Sequence, residues 1–171
     1  FETLANPNEL QEALFWTLGS CAGAQWSQLT IPAITVATGT IWLSTQARKL
    51  NALSMGPEVA SSLGIDVGRF QLVLIFLVSM MTGTIVAVAG GIGFIGLVIP
   101  HIARLLVGAD HRRVLLVSVL AGAVFLVVTD LLARVVLRPV ELPLGVLTAA
   151  AGAPFLLWLL RRRGRAEGSL S

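Results

Sequence analysis

No Asp, Glu, Lys or Arg occurs between Gln71 and Ala103. About twenty helical residues cross the ~30 Å hydrocarbon core of a bilayer, so an uncharged apolar run of this length is a membrane-span candidate. A soluble fold would have to bury several such helices inside a very small domain. Composition points the same way. Charged residues make up 12% of the chain, about half the share usual for soluble domains. Hydrophobic residues make up 56%, and the mean hydropathy is +0.86.

Five stretches reach or approach spanning length, at roughly 28–47, 70–90, 93–107, 113–136 and 143–161. The first carries Thr30, Thr35, Thr38 and Thr40, which suits a helix packed inside a bundle. The third is short for a full crossing and is interrupted by Pro100, so it reads either as a span or as a tilted or re-entrant segment. The basic residues decide between these. Cytoplasmic loops collect Lys and Arg. Arg48, Lys49, Arg69, Arg104, Arg112, Arg113 and the tail Arg161, Arg162, Arg163 and Arg165 fall on one side only if the third stretch returns the chain. Arg134 and Arg138 are then the two basic residues outside. Residues 1–30 hold Glu2, Glu9 and Glu12 but no Lys or Arg, as an outer segment should. The expected fold is therefore an all-α polytopic bundle of about five spans. Residues 31–171 form its membrane region, with a cytoplasmic connection at 49–69. A start at Phe1, without Met or a basic leader, is expected of part of a longer polypeptide.

Small residues suggest where helices pack, because lipid tails are as apolar as Leu and close backbone approach drives association. Gly83, Ala87 and Gly90 or Gly91 recur at helix-turn spacing. Gly91-Ile92-Gly93-Phe94-Ile95-Gly96 also matches the dinucleotide fingerprint, but that motif needs a short strand before it. A long apolar span precedes it here, so the glycines are expected to form a tight turn between packed spans. There is no GxxxxGK[ST] phosphate loop. His101 and His111 lack metal-ligand neighbours, Cys21 stands alone, and no catalytic triad is apparent. Neither an enzyme activity nor a cofactor, a metal or a nucleic-acid partner is expected.

The connection after the first span is more distinctive. Pro57 and Glu58 suit a helix start and Gly64 a stop, which predicts a short helix with another possible before it. Leu53, Met55, Val59 and Leu63 need either a partner surface or the membrane interface. Physics alone leaves these two open. Asp130 and Arg134 share a helix face four residues apart, as a structural ion pair would. Ionisable groups at membrane depth are also functional candidates. A proton relay usually needs more acids than Asp130 alone, which counts against a secondary transporter driven by an ion gradient.

The chain resembles the FecCD-type permeases of type II ABC importers. The residues that carry the resemblance are Asn51-Ala52-Leu53 through Leu63-Gly64, Gly90 to His101 (GGIGFIGLVIPH), Asp110-His111-Arg112, Asp130 to Arg134 (DLLAR), Glu141 to Thr148 (ELPLGVLT) and Gly152 to Phe155 (GAPF). The resemblance covers essentially the whole chain, in order. It implies the C-terminal half of a multi-pass permease in a bacterial cytoplasmic membrane, moving iron-siderophore, haem or vitamin B12 by alternating access. The implied partners are a second permease copy, two ATP-binding cassette subunits that hydrolyse ATP, and an external substrate-binding protein. It makes Asn51–Gly64, with Asn51, Leu53, Met55, Gly56, Glu58, Val59, Leu63 and Gly64, the segment that couples to the ATPase. It places Arg134 at the docking face for the binding protein; Arg138, the other outer basic residue, is a weaker docking candidate, open equally to snorkelling towards lipid headgroups. Gly83, Gly90, Gly91, Gly93, Gly96 and Pro100 are left to helix packing and turns.

The partition of basic residues generates a topology test. In a Cys21→Ala background, single cysteines at Ser62, Ala109 and Gly164 should resist impermeant thiol reagents added outside intact cells. A cysteine at Val140 should be labelled, and strong labelling at Ala109 would overturn the five-span reading.

Overall fold

The computed structural model describes residues 17–21, 23–135 and 143–167. Among these residues it contains seven helices and no strand. They are α1 (Trp26–Thr45), α2 (Ala47–Ser54), α3 (Pro57–Ser62), α4 (Val67–Ala89), α5 (Ile95–Val107), α6 (His111–Val135) and α7 (Leu144–Glu167). The five expected stretches correspond to α1 and α4–α7, with ends displaced by a few residues. The two short helices α2 and α3 fill the connection after the first span.

By length and composition α4 and α6 suffice to cross a membrane, while α5 and the apolar part of α7, Leu144–Leu157, are shorter. Burial shows what solvates the long pair. None of the most apolar window of α4 is buried, and only 11% of that of α6. Leu72, Ile75 and Phe76 stand exposed on one, and Leu116, Leu120, Val127 and Leu131 on the other. The core helix of a soluble domain would be covered, so these surfaces are built for lipid or for further membrane helices.

The helices form two groups. α1 packs on α4, and α5, α6 and α7 pack on one another; α4 lies against α1 rather than against the α5 that follows it. Two of the hydroxyls that weaken the apolarity of α1 bond to their own helix, and one of these also reaches α4. Thr38 Oγ1 donates to the Ile34 carbonyl at 2.7 Å, and Thr35 Oγ1 lies 2.9 Å from the Ile31 carbonyl and 3.0 Å from Thr84 Oγ1 on α4. Beside this contact the Met81 side chain occupies the space that a Cβ on Gly39 would need.

At one end the two groups are joined through the backbone. Ser20 N–H donates to the Ala89 carbonyl at the end of α4, and Leu144 N–H at the start of α7 donates to the Gly19 carbonyl, both at 2.9 Å. A Cβ on Gly19 would stand 2.7 Å from the Gly91 carbonyl oxygen, and one on Gly145 would overlap the Leu18 carbonyl. Leu144 and Thr148 are almost fully buried against this junction.

The turn at residues 90–94 explains how a short helix returns the chain. α5 has 13 residues and rises about 20 Å, some 10 Å less than the hydrocarbon core. Gly91 lies against Gly145, and Phe94 lies against Gly152, seven residues further along α7. The non-helical turn therefore descends beside α7 by about 10 Å before α5 begins, which makes up the difference. Phe94 caps α5 with φ +66°, the one non-glycine residue at positive φ among those described. That conformation costs about 1–2 kcal/mol in an L-residue. Its side chain is seated where a Cβ on Gly152 would be, so the close contact with α7 holds it there.

The glycines singled out from spacing occupy different surroundings. Nothing lies within 4 Å of where a Cβ would project from Gly83, Gly93 or Gly96. The close approaches fall at Gly19, Gly39, Gly145 and Gly152 instead. Gly152→Val should destabilise the fold by about 1–3 kcal/mol through overpacking. In a Phe94→Gly background the same change should cost clearly less, measured by denaturant unfolding of the permease in detergent. Equal costs in both backgrounds would show that Phe94 does not fill the Gly152 site.

Candidate functional site

At the end opposite the Gly19 junction, α1 breaks at Gln46 and the chain turns through α2 and α3 before re-entering as α4. Two glycines shape this passage. Gly56 has φ +122°, a backbone state that side chains rarely adopt, and it lets Pro57 open α3 at its first position, with Glu58 in the first turn. Gly64, at φ +77°, closes α3. Its N–H donates to the Ser61 carbonyl at 2.9 Å, and Ile65 N–H donates to the Ala60 carbonyl at 3.1 Å. This pair of bonds is a Schellman closure, which satisfies carbonyls left open at a helix end.

One side of the unit faces the bundle. Ala47, Ala52 and Ala60 are buried. Phe70, at the base of α4, receives Trp42 at a ring separation of 6.4 Å and the Lys49 ammonium 5.7 Å above its centroid. The other side carries unpartnered apolar groups. Met55 and Leu63 are 73% and 66% exposed, Val59 is exposed to a lesser degree, and Leu53 is half-buried. Three apolar side chains at four-residue intervals on a short polar segment form a surface suited to a partner.

The α2–α3 unit is also tied to the start of α6. Asn51 Nδ2 donates to Asp110 Oδ1 at 2.9 Å. Asn51 Oδ1 accepts from the His111 backbone N–H at 2.9 Å and lies 2.7 Å from His111 Nδ1. An amide oxygen only accepts, so Nδ1 carries the imidazole proton in this contact. Asp110 caps α6 in turn, its Oδ1 accepting from Arg112 N–H at 3.2 Å. The Asn51 bond, and then the Arg112 N–H, hold the Asp110 carboxyl below its ordinary pKa. Sequence reasoning grouped Asn51 with the partner-facing residues and Asp110-His111-Arg112 with a separate motif. It had no signal that the two meet across fifty-nine positions.

Towards the other end of α6, Arg134 Nε donates to Asp130 Oδ2 at 2.8 Å and Nη2 to Oδ1 at 3.3 Å. Both side chains remain partly exposed. Arg138 lies outside the described residues. Cys21 is close to this pair: burial foremost, and then the Asp130 charge, push its thiol pKa up, which suppresses the reactive thiolate. Among the described residues no group of His, Cys, Asp and Glu is arranged to hold a metal.

Comparison with known proteins gives this geometry its context. A sequence model of the FecCD transport family matches residues 1–162. The hemin transport system permease protein HmuU of Yersinia pestis is 42% identical over 96% of this chain and 50% of its own length. The Fe(3+) dicitrate transport system permease protein FecD of Escherichia coli strain K12 is 46% identical over 93% of this chain and 50% of its own. The vitamin B12 import system permease protein BtuC of Vibrio cholerae is 42% identical over 90% and 46%. A solved structure, described as an inward-facing conformation of a metal-chelate type ABC transporter, superposes with a TM-score of 0.84 at 32% identity. It covers 92% of this chain and 51% of its own. The chain thus spans about half the length of the relatives it matches.

Asp110→Ala should speed hydrogen exchange of the His111 and Arg112 amides and loosen α2 from α6, read by exchange mass spectrometry. A depressed folded pKa means that the Asp110 contribution is present above the unfolded value near ~4 and is lost as pH falls through the lower folded value. The difference between wild type and variant should therefore vanish under strong acid and be full at neutral pH.

Proposed function

The chain belongs to the FecCD transport family, and on that premise we propose that it is the C-terminal half of an ABC importer permease that moves a metal chelate, haem or cobalamin across the bacterial cytoplasmic membrane. The observation that carries this reading is the α2–α3 unit: a folded, charged segment between two membrane helices, with Met55, Val59 and Leu63 left uncovered. An ATP-binding cassette subunit is the partner that such a unit serves. ATP hydrolysis resides in that partner, and a second permease copy and a second ATPase complete the transporter. Nucleotide binding shifts the permease between inward- and outward-open packings only by its differential affinity for them. An external binding protein delivers the substrate. The names of the relatives span haem, ferric dicitrate and vitamin B12, which supports the substrate class rather than one ligand.

Arg134 is our candidate for contact with that binding protein. Its side chain pairs with Asp130 and is 46% exposed, and a planar guanidinium suits recognition of a partner carboxylate. Arg138 is a weaker candidate on the same side. The alternative of an ion-gradient-driven carrier predicts uptake that survives ATP depletion and collapses with the gradient.

In the complete permease, Val59→Asp and Leu63→Asp should weaken ATPase association roughly thirtyfold each, the scale of losing an interface hot spot, and abolish uptake while insertion is unchanged. Normal copurification of the ATPase with both variants would return α2–α3 to the membrane interface. Arg134→Glu should slow capture of the binding protein most at low salt, with partial recovery by a Glu→Arg change on that partner. Capture unchanged at every salt concentration would remove Arg134 from the docking face.

A further inference from the structure

The transport reading assigns α2–α3 to the ATPase, and its partner-facing groups are Met55, Val59 and Leu63. Asn51 belongs to the same unit and does something else. Its amide is used at both ends: Nδ2 on Asp110 Oδ1, and Oδ1 on the His111 backbone N–H and Nδ1. These bonds lead away from the neighbouring α1–α4 pair and into α6, a member of the other helix group.

α2 also packs directly on α6, and the other attachments of α2–α3 lead back to the first group. The chain runs directly into α1 and α4, and Lys49 lies over Phe70 of α4. Among the described residues, Asn51 is the side chain of α2–α3 that hydrogen-bonds to the α5–α6–α7 group. Apart from this bond, a push on the unit would reach that group through side-chain packing, of α2 on α6 and along the bundle. Asn51 delivers it to the first residue of α6, a helix of 25 residues that rises about 37 Å to the far end. A helix end is a suitable point of purchase. The first N–H groups of α6 lack intrahelical partners, and Asn51 and Asp110 supply acceptors to two of them.

We infer that Asn51 is a positioning residue that fastens the ATPase-facing unit to α6 through Asp110 and His111, so that nucleotide-driven displacement moves both helix groups together. The inference rests on the transport reading and adds a role distinct from docking. The chemistry is specific to an amide. Leu at position 51 offers neither donor nor acceptor, and Asp at 51 would set a carboxylate against Asp110 while still accepting from His111. Exchanging the two residues restores a donor facing an acceptor.

The test uses the complete permease assembled with its ATPase, with three readings: copurification of the ATPase, ATP hydrolysis, and substrate moved per ATP in proteoliposomes. Asn51→Leu and Asn51→Asp should retain the ATPase and continue to hydrolyse ATP. Both should move roughly tenfold less substrate per ATP, within the range by which residues between two sites alter their coupling. The double variant Asn51→Asp with Asp110→Asn should regain a substantial part of that yield, which a merely structural loss would not. Unchanged yield per ATP in both single variants overturns the inference. So does loss of the ATPase from Asn51→Leu, which would make position 51 a docking residue. If a single variant fails to accumulate, the exchange still decides, because a double variant no better than Asn51→Asp alone contradicts the inference. Failure of the broader reading has its own signature, namely retention of the ATPase by Val59→Asp and Leu63→Asp.

Discussion

Within lipid, a backbone N–H or C=O without a partner costs several kcal/mol, so each crossing segment has to satisfy its own backbone. Everything else in this chain follows from that constraint. The crossing segments are helices, their outer faces are apolar and uncovered, and the backbone has free groups to bond elsewhere only at the helix ends. It is at the ends that the two helix groups are joined. Leu144 and Ser20 close one junction through main-chain bonds, and Asn51 closes the other through a side chain. Between the junctions the groups also meet where α1 packs against α6.

The two junctions differ in kind. The Gly19–Gly91–Gly145 junction consists of backbone packed against backbone, with no room for even a methyl group at Gly19 or Gly145. The Asn51 junction is polar and directional, with one amide donating to Asp110 and accepting from His111. One end is thereby a seam of packed backbone and the other a side-chain fastening beside the surface proposed for the ATPase. The Phe94 turn adds a second fixed point on the first end. It gives up a favourable backbone conformation to seat an aromatic ring against α7, where Gly152 leaves the space.

Much of this was legible in the residues. The charge-free run pointed to apolar helices where α4 and α5 form, and Pro57 and Gly64 bracketed α3 within a residue or two. Local chemistry sufficed there because the signals act over one helical turn. Gly83 illustrates the limit. Spacing picks out glycines on one helix face but does not say which face meets another helix, and the close contacts fell at Gly39, Gly145 and Gly152. The last two sat inside ELPLGVLT and GAPF, motifs recognised by resemblance without a physical role. The Asn51–Asp110–His111 junction lay beyond reach for the same reason. It depends on where two distant helix ends meet, and no periodicity in a single segment encodes that.

The claim on which the account turns is that α2–α3 and the start of α6 move as one body. Spin labels at Ser62 and Arg113, on a cysteine-free background of the complete transporter, measure it directly by pulsed electron resonance with and without trapped ATP. The account predicts the same separation in both nucleotide states, and a broadened, shifted distribution once Asn51→Leu is introduced. A separation that changes with nucleotide in the unaltered protein would contradict it.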